Sequence, residues 1–163
     1  MKIGDGVEWA IHCCTVLAFV PPERALPAAR LAEFHGVPAA YLAKHLQSLS
    51  RAGIVESIPG ARGGYRLARP PDGVTLLDIV QAVEGDEPAF RCDEIRQRGP
   101  AALADRKAYA KPCTIATTML RAEAAWRREL RATSLADIVN GLAGAVDPRA
   151  SVKGARWMQE VLR

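Results

Sequence analysis

Aromatic residues are scarce in this chain, only 6% of its 163 residues, although 49% are apolar. A core with so few rings must be built from Ala, Leu, Val and Ile, which favours a mainly α protein. No apolar run reaches the ~18–20 residues that a membrane span needs. No cationic start leads into an apolar segment and an A-x-A site either, so the expected location is cytoplasmic, without a membrane partner. Cysteines number only four and histidines three. In a reducing compartment these thiols point away from structural disulfides and towards metal binding, redox sensing or plain burial. A Gly-rich phosphate loop, a nucleophile elbow and paired carboxylates in a plausible cleft are all missing, so no enzyme is expected.

What the chain does have is a modest basic excess. It carries 22 Lys and Arg against 18 Asp and Glu, a formal charge of +4, with a pI near 9.1. The excess permits nucleic-acid binding without requiring it. It is uneven, since residues 96–131 hold nine Lys and Arg against Asp105, Glu123 and Glu129.

Hydrophobic spacing predicts a first helix over residues 5–18, with Asp5 as N-cap, ended by Pro21-Pro22. A second helix is predicted over 26–34, closed by Gly36. A third opens at Pro38, carries Leu42, Leu46 and Leu49, and stops at Gly53. Two short β-type runs, 54–58 and 65–67, flank a Pro-Gly-Ala-Arg-Gly-Gly tip and read as a hairpin. Thr75-x-x-Asp78 reads as a capping-box start of a fourth helix that ends at Gly85. Residues 86–112 have no periodic pattern, and a loop of that length calls for a reason such as a bound cofactor. A long helix is then expected over 113–132, with Ile115, Met119, Ala122, Trp126 and Leu130 forming an apolar seam suited to a dimer contact. Thr133/Ser134 to Asp137 caps a last short helix, and residues 146–163 read as a weakly specified basic tail.

Helix, turn, helix and basic hairpin together predict a winged helix-turn-helix DNA-binding domain over residues 1–85. A recognition helix lays its N-terminal side chains on base edges in the major groove. The third helix offers Ala39, Ala40, Tyr41, Lys44, His45 and Gln47, of which Tyr41, Lys44 and Gln47 are expected to point outwards. Arg62 at the wing tip suits a narrow A·T minor groove, and Arg51 and Arg66 suit phosphates. His35 falls at the corner between the two helices and is expected to cap the second.

GARGGYRLARPP followed by VTLLDIVQAVEG resembles the wing and following helix of the Rrf-type winged-helix regulators, IscR- and NsrR-like proteins. The likeness spans residues 1–139. It implies a homodimer on a pseudo-palindromic double-stranded DNA operator, with long C-terminal helices (113–145) at the dimer contact. Cluster-binding members usually place three close cysteines in the loop after the fourth helix, whereas this chain has only Cys92 there, and Cys113 beyond. GVEWAIHCC, PAFRCDEIRQRGP and KPC are most similar to the RsrR redox-sensor branch. That resemblance implies a 2Fe–2S cluster held by Cys92 and Cys113 of one subunit and Glu8 and His12 of the other. Residues 86–112 would then be the cluster-binding loop, and Trp9 the residue that relays cluster state.

The residues themselves leave alternatives open. Glu8 and His12, at i and i+4, share one helix face, which also describes an ordinary solvated pair. Cys92 and Cys113 alone would make a thiol switch in a cofactor-free regulator, or with Glu8 and His12 a zinc site. Cys13 and Cys14 are adjacent and so diverge; both are expected to be packing residues.

Overall fold

The structure, a computed structural model, describes residues 3–60 and 63–163. Seven helices and one hairpin follow in chain order: α1 (Asp5–Leu17), α2 (Ala28–His35), α3 (Ala39–Arg51), β1 (Val55–Ile58), β2 (Gly64–Leu67), α4 (Leu76–Glu84), α5 (Thr114–Ala132), α6 (Leu135–Ala145) and α7 (Pro148–Val161). β1 and β2 pair antiparallel, with Glu56 opposite Arg66 and Ser57 opposite Tyr65. The fold is the mainly helical winged helix-turn-helix that the periodicity predicts.

α1 is the central helix, packed on α2, α3, α4 and α6. Its buried residues Ala10, Cys13, Cys14 and Leu17 meet Leu31 of α2, Leu42, Leu46 and Leu49 of α3, and Ile79 of α4. Complete burial of a leucine stabilises by about 1.5–3 kcal/mol, so this small cluster is the main cohesive element.

Leu26 differs from the expected second helix. It is extended and pairs with Tyr65, each backbone N–H donating to the other's carbonyl at 2.9 and 2.8 Å. The reason is local: Pro27 disfavours helical geometry at the residue before it. β2 approaches so closely that a Cβ on Gly64, whose φ is 152°, would lie 2.3 Å from the Leu26 backbone. Only glycine fits there.

Both capping boxes form. Thr75 N–H donates to Asp78 Oδ2 at 3.0 Å and Asp78 N–H to Thr75 Oγ1 at 3.1 Å. Ser134 and Asp137 repeat the pattern at 2.8 and 3.1 Å. The two helix starts are also tied to each other, Leu76 N–H to Thr133 O at 2.9 Å and Leu135 N–H to Val74 O at 2.8 Å. α6 therefore returns to the domain from which α5 departs.

The expected seam on α5 is divided. Trp126 and Leu130 are half-buried, Trp126 facing Leu77 and Val80 of α4. Towards the N-terminal end, Ile115, Met119 and Leu120 are exposed, Ile115 by 67%.

The basic tail expected over residues 146–163 is instead a helix. Asp147 caps α7 by accepting from Arg149 N–H at 2.8 Å, and Pro148 stands at its first position, both start signals that the charged residues obscured. Trp157 packs on Phe34 of α2 with ring centroids 4.8 Å apart, and Met158, Val161 and Leu162 reach the core. Trp157→Ala should therefore lower the unfolding free energy by about 1–3 kcal/mol, less than full burial would give. Urea melts check this; a loose tail would leave the midpoint unchanged.

Candidate nucleic-acid interface and metal-ligand site

α3 buries Leu42, Leu46 and Leu49 completely and turns Tyr41, Lys44, Gln47 and Arg51 to solvent. The Lys44 ammonium lies 5.4 Å from the Tyr41 ring centroid, and Arg51 Nη2 donates to Ser48 Oγ at 3.1 Å. One helix face thus carries two cations, a phenol and an amide, the groups that duplex DNA accepts. Arg66 is differently placed. Its guanidinium pairs with Glu56 at 2.7 Å across the hairpin and also donates to Pro22 O, so it holds the wing to the body. Arg62 lies outside the described residues.

His45, offered by the third helix but not among its residues expected to point outwards, points back to α1. Its ring meets Trp9 edge-on at 6.2 Å. Gly6 lies directly beneath, where a Cβ would come within 2.3 Å of the imidazole. Gly6 and Trp9 are one helical turn apart, so a single face of α1 seats the recognition helix.

A second face of α1 carries Glu8 and His12, both exposed. They line a shallow groove of about 350 Å³ with Ile3, Gly4, Asp5, Val7 and Ile11. The His12 ring lies 5.5 Å from that of His35. His35 is the last residue of α2 rather than its cap, since the left-handed capping position, φ 65°, belongs to Gly36. Burial between His12 and Phe34 lowers the His35 pKa, the neighbouring His12 adds to this, and Nε2 is buried without a hydrogen-bond partner.

Cys92 is exposed in the long loop and Cys113 is the half-buried N-cap of α5. The Cys113 thiol is held below its ordinary range, first by the Ala116 N–H at the open helix end, then by the Ile115 N–H and Arg96. Partial burial and the Glu94 carboxylate oppose this. Cys13 and Cys14 are the reverse case: burial pushes Cys13 up to about 12 and Cys14 higher still.

The four residues expected as ligands thus fall into two groups, Cys92 with Cys113 and Glu8 with His12. The structure does not bring them together: among the described residues, no group of three or more His, Cys, Asp or Glu is placed to hold a metal ion. Each pair nevertheless has suitable donors, an activated thiol near a cation and an exposed imidazole beside a carboxylate.

Arg127 is a residue that sequence reasoning missed. It donates to Glu123 at 3.0 Å, to Asp86 Oδ1 at 2.6 Å and to Asp86 O at 3.1 Å, while Ala89 N–H donates to Glu123 at 3.1 Å. These bonds fasten the start of the cysteine loop to α5. Only the Glu123–Arg127 spacing was visible as a helical pair.

The thiol environments predict a sharp division in reactivity, because the thiolate is the nucleophile. Iodoacetamide at neutral pH should modify Cys113 and Cys92 in the native protein and spare Cys13 and Cys14 until denaturant is added. Peptide mass mapping reads this directly, and early modification of Cys13 would contradict the burial argument.

Comparison with known proteins agrees with this architecture. The profile described as "Rrf2: Iron-dependent Transcriptional regulator" matches residues 3–141. YwgB of Bacillus subtilis, named for the HTH type of transcriptional regulator, is 29% identical over 140 residues, 86% of this chain and 85% of YwgB. The HTH-type transcriptional regulator IscR of Aliivibrio salmonicida is 30% identical over 92 residues, 56% of this chain and 55% of IscR. Among solved structures, CymR, the global cysteine regulator of B. subtilis, superposes with a TM-score of 0.65 at 25% identity, covering 86% of this chain and 97% of CymR. IscR of T. potens shares the fold with a TM-score of 0.67 at 22% identity, covering 90% and 92%. With a recognition helix, a wing and a family match over most of its length, this chain belongs to the Rrf2 family of winged-helix, DNA-binding transcriptional regulators.

Proposed function

We propose that this regulator is a homodimeric repressor that senses redox state through a 2Fe–2S cluster. Cys92 and Cys113 of one subunit would hold it together with Glu8 and His12 of the second copy, as the RsrR-like motifs imply. The observation that carries the reading is the pair of incomplete half-sites. A 2Fe–2S cluster takes four ligands; Glu8 and His12 share one face of α1, Cys92 and Cys113 lie in the loop and at the start of α5, and among the described residues no three such donors come together. A second copy would complete both. The exposed Ile115, Met119 and Leu120 give α5 an apolar strip suited to that copy.

When bound, the cluster supplies a one-electron couple, whose potential imidazole ligation raises relative to four thiolates. The chain's own residues do the remaining work. Cys113 is already biased towards the thiolate that ligation requires. Trp9 follows Glu8 in sequence and touches His45 on α3, which makes it the shortest link from the ligands to the recognition helix. Tyr41, Lys44 and Gln47 would read the major groove of a pseudo-palindromic operator, and Arg51 would meet phosphate. Arg62 is assigned to the minor groove. Arg66 would reach phosphate only by releasing Glu56 or Pro22.

A second reading is favoured by the thiol pair itself. With Cys113 activated and Cys92 exposed, the two form a switch that needs no cofactor, or with Glu8 and His12 a zinc site.

Mixed dimers separate these readings. Cys92→Ala and His12→Ala homodimers should each be colourless, because every shared site then lacks a ligand. Co-expressed, they should form a heterodimer with one intact site, about two irons and two sulfides per dimer, and visible bands that dithionite bleaches. Colour lost in Cys13→Ala would overturn this ligand assignment, and colourless wild type purified without oxygen would remove the cluster reading. For DNA, Gln47→Ala should cost about 1–3 kcal/mol and relax preference at one base pair. Fluorescence anisotropy at fixed salt checks it, and unchanged affinity and selectivity would take Gln47 off the reading face.

A further inference from the structure

The cysteine loop contains several arginines, but one is built differently from the others. Arg91 pairs with Glu87 in solvent, both side chains more than 70% exposed. Arg98 makes a single contact, 3.4 Å from Asp93 O. Arg96 engages three separate groups. Its fork grips the Glu94 carboxylate, with Nη2 2.8 Å from Oε2. The same Nη2 donates to Lys111 O at 3.0 Å, and the guanidinium carbon lies 5.7 Å from the Tyr109 ring centroid.

These contacts join the two ends of the loop. Glu94 and Arg96 follow Cys92 by two and four residues; Tyr109 and Lys111 precede Cys113 by four and two. Residues 93–112, which separate the thiols, contain only two short 3-10 turns, Ile95–Gln97 and Arg106–Tyr109. An unclosed loop of that length would let its ends drift apart. Glu94 is the one non-glycine residue with positive φ, 49°, among the described residues. Such a conformation is costly for a non-glycine residue and persists when its surroundings hold it; the Arg96 fork does so here.

We propose that Arg96 is the positioning residue that closes the loop and sets Cys92 beside Cys113 as one two-thiol half-site. The inference rests on reading these cysteines as a pair, whether for a cluster, for zinc or for a disulfide.

Full-length protein, reduced and stripped of metal by a chelator, is treated with dibromobimane. This reagent becomes fluorescent when two nearby thiolates each displace a bromide. Wild type should give a fluorescent product of monomer mass linking Cys92 to Cys113. Arg96→Gln should lower its rate roughly tenfold, the scale expected when two reacting groups lose a fixed orientation. Crosslinking at the wild-type rate overturns the proposal. Should Arg96→Gln fail to fold by circular dichroism, Arg96→Lys decides: it keeps the charge and stem but loses the fork. Slower crosslinking with an unchanged melt supports the proposal; a wild-type rate overturns it. Iron counted in wild type tests the cluster separately. Arg96-dependent crosslinking in a protein that never holds iron would leave this inference standing and the cluster reading fallen.

Discussion

The helical period of α1 places three chemistries on one short rod, and the other elements are arranged around that constraint. Residues 10, 13, 14 and 17 face inwards and close the core. Residues 6 and 9 face α3, where the absence of a side chain at Gly6 lets the His45 ring settle against the helix backbone. Residues 8 and 12 face a groove open to solvent. Because α1 is packed on four other helices, its donors, its core residues and its contact to the recognition helix move as one body. Any displacement at Glu8 or His12 is thereby presented to α3 without passing through a flexible segment.

The second constraint is at the opposite end of the domain. Twin capping boxes at Thr75 and Ser134, bridged by backbone hydrogen bonds, tie the starts of α4 and α6. Everything between those starts is an excursion: α4, the cysteine loop and α5 leave from one point and return to it. Arg127 ties the start of the loop to α5, and Arg96 ties its two cysteine-bearing ends. The domain therefore exposes a long irregular segment without leaving it free, which a ligand-bearing loop requires.

Local signals were legible in the sequence and distant ones were not. Gly36, Thr75-x-x-Asp78 and Ser134-x-x-Asp137 act on their own helix ends, so their types alone placed three boundaries. Leu26 was misread as helical because its strand partner, Tyr65, is far along the chain, although Pro27 held the local hint. Helical spacing sets His45 apart from the outward-facing Tyr41, Lys44 and Gln47 but cannot say that α1 covers its side. The cross-strand pairing of Arg66 with Glu56 depends on the hairpin register, which residue type alone does not give. α7 was hidden by its charges, and its burial depends on Phe34, which no pattern within α7 reveals. Glu8 and His12 remain separate from Cys92 and Cys113 in the single chain, and sequence spacing alone cannot place a second copy beside them.

The magnitudes involved are compatible with relay through so small a contact. A tenfold change in operator affinity corresponds to about 1.4 kcal/mol of coupling, within the usual range for linked sites. An edge-to-face aromatic pair is worth about 0.5–1.5 kcal/mol beyond its burial, and a dimer has two copies of the Trp9–His45 contact. In the proposed dimer, making or losing that contact on both recognition helices would supply coupling of the required order without unfolding or a large domain rotation. The reverse also follows from linkage: operator binding that favours one placement of His45 must favour the matching state at Glu8 and His12 by the same free energy. The proposed sensor, built on a rigid helix, would need only a small bias at each end. Burial of Cys13 and Cys14 in that same helix raises both thiols and sets them apart from the exposed Cys92 and half-buried Cys113.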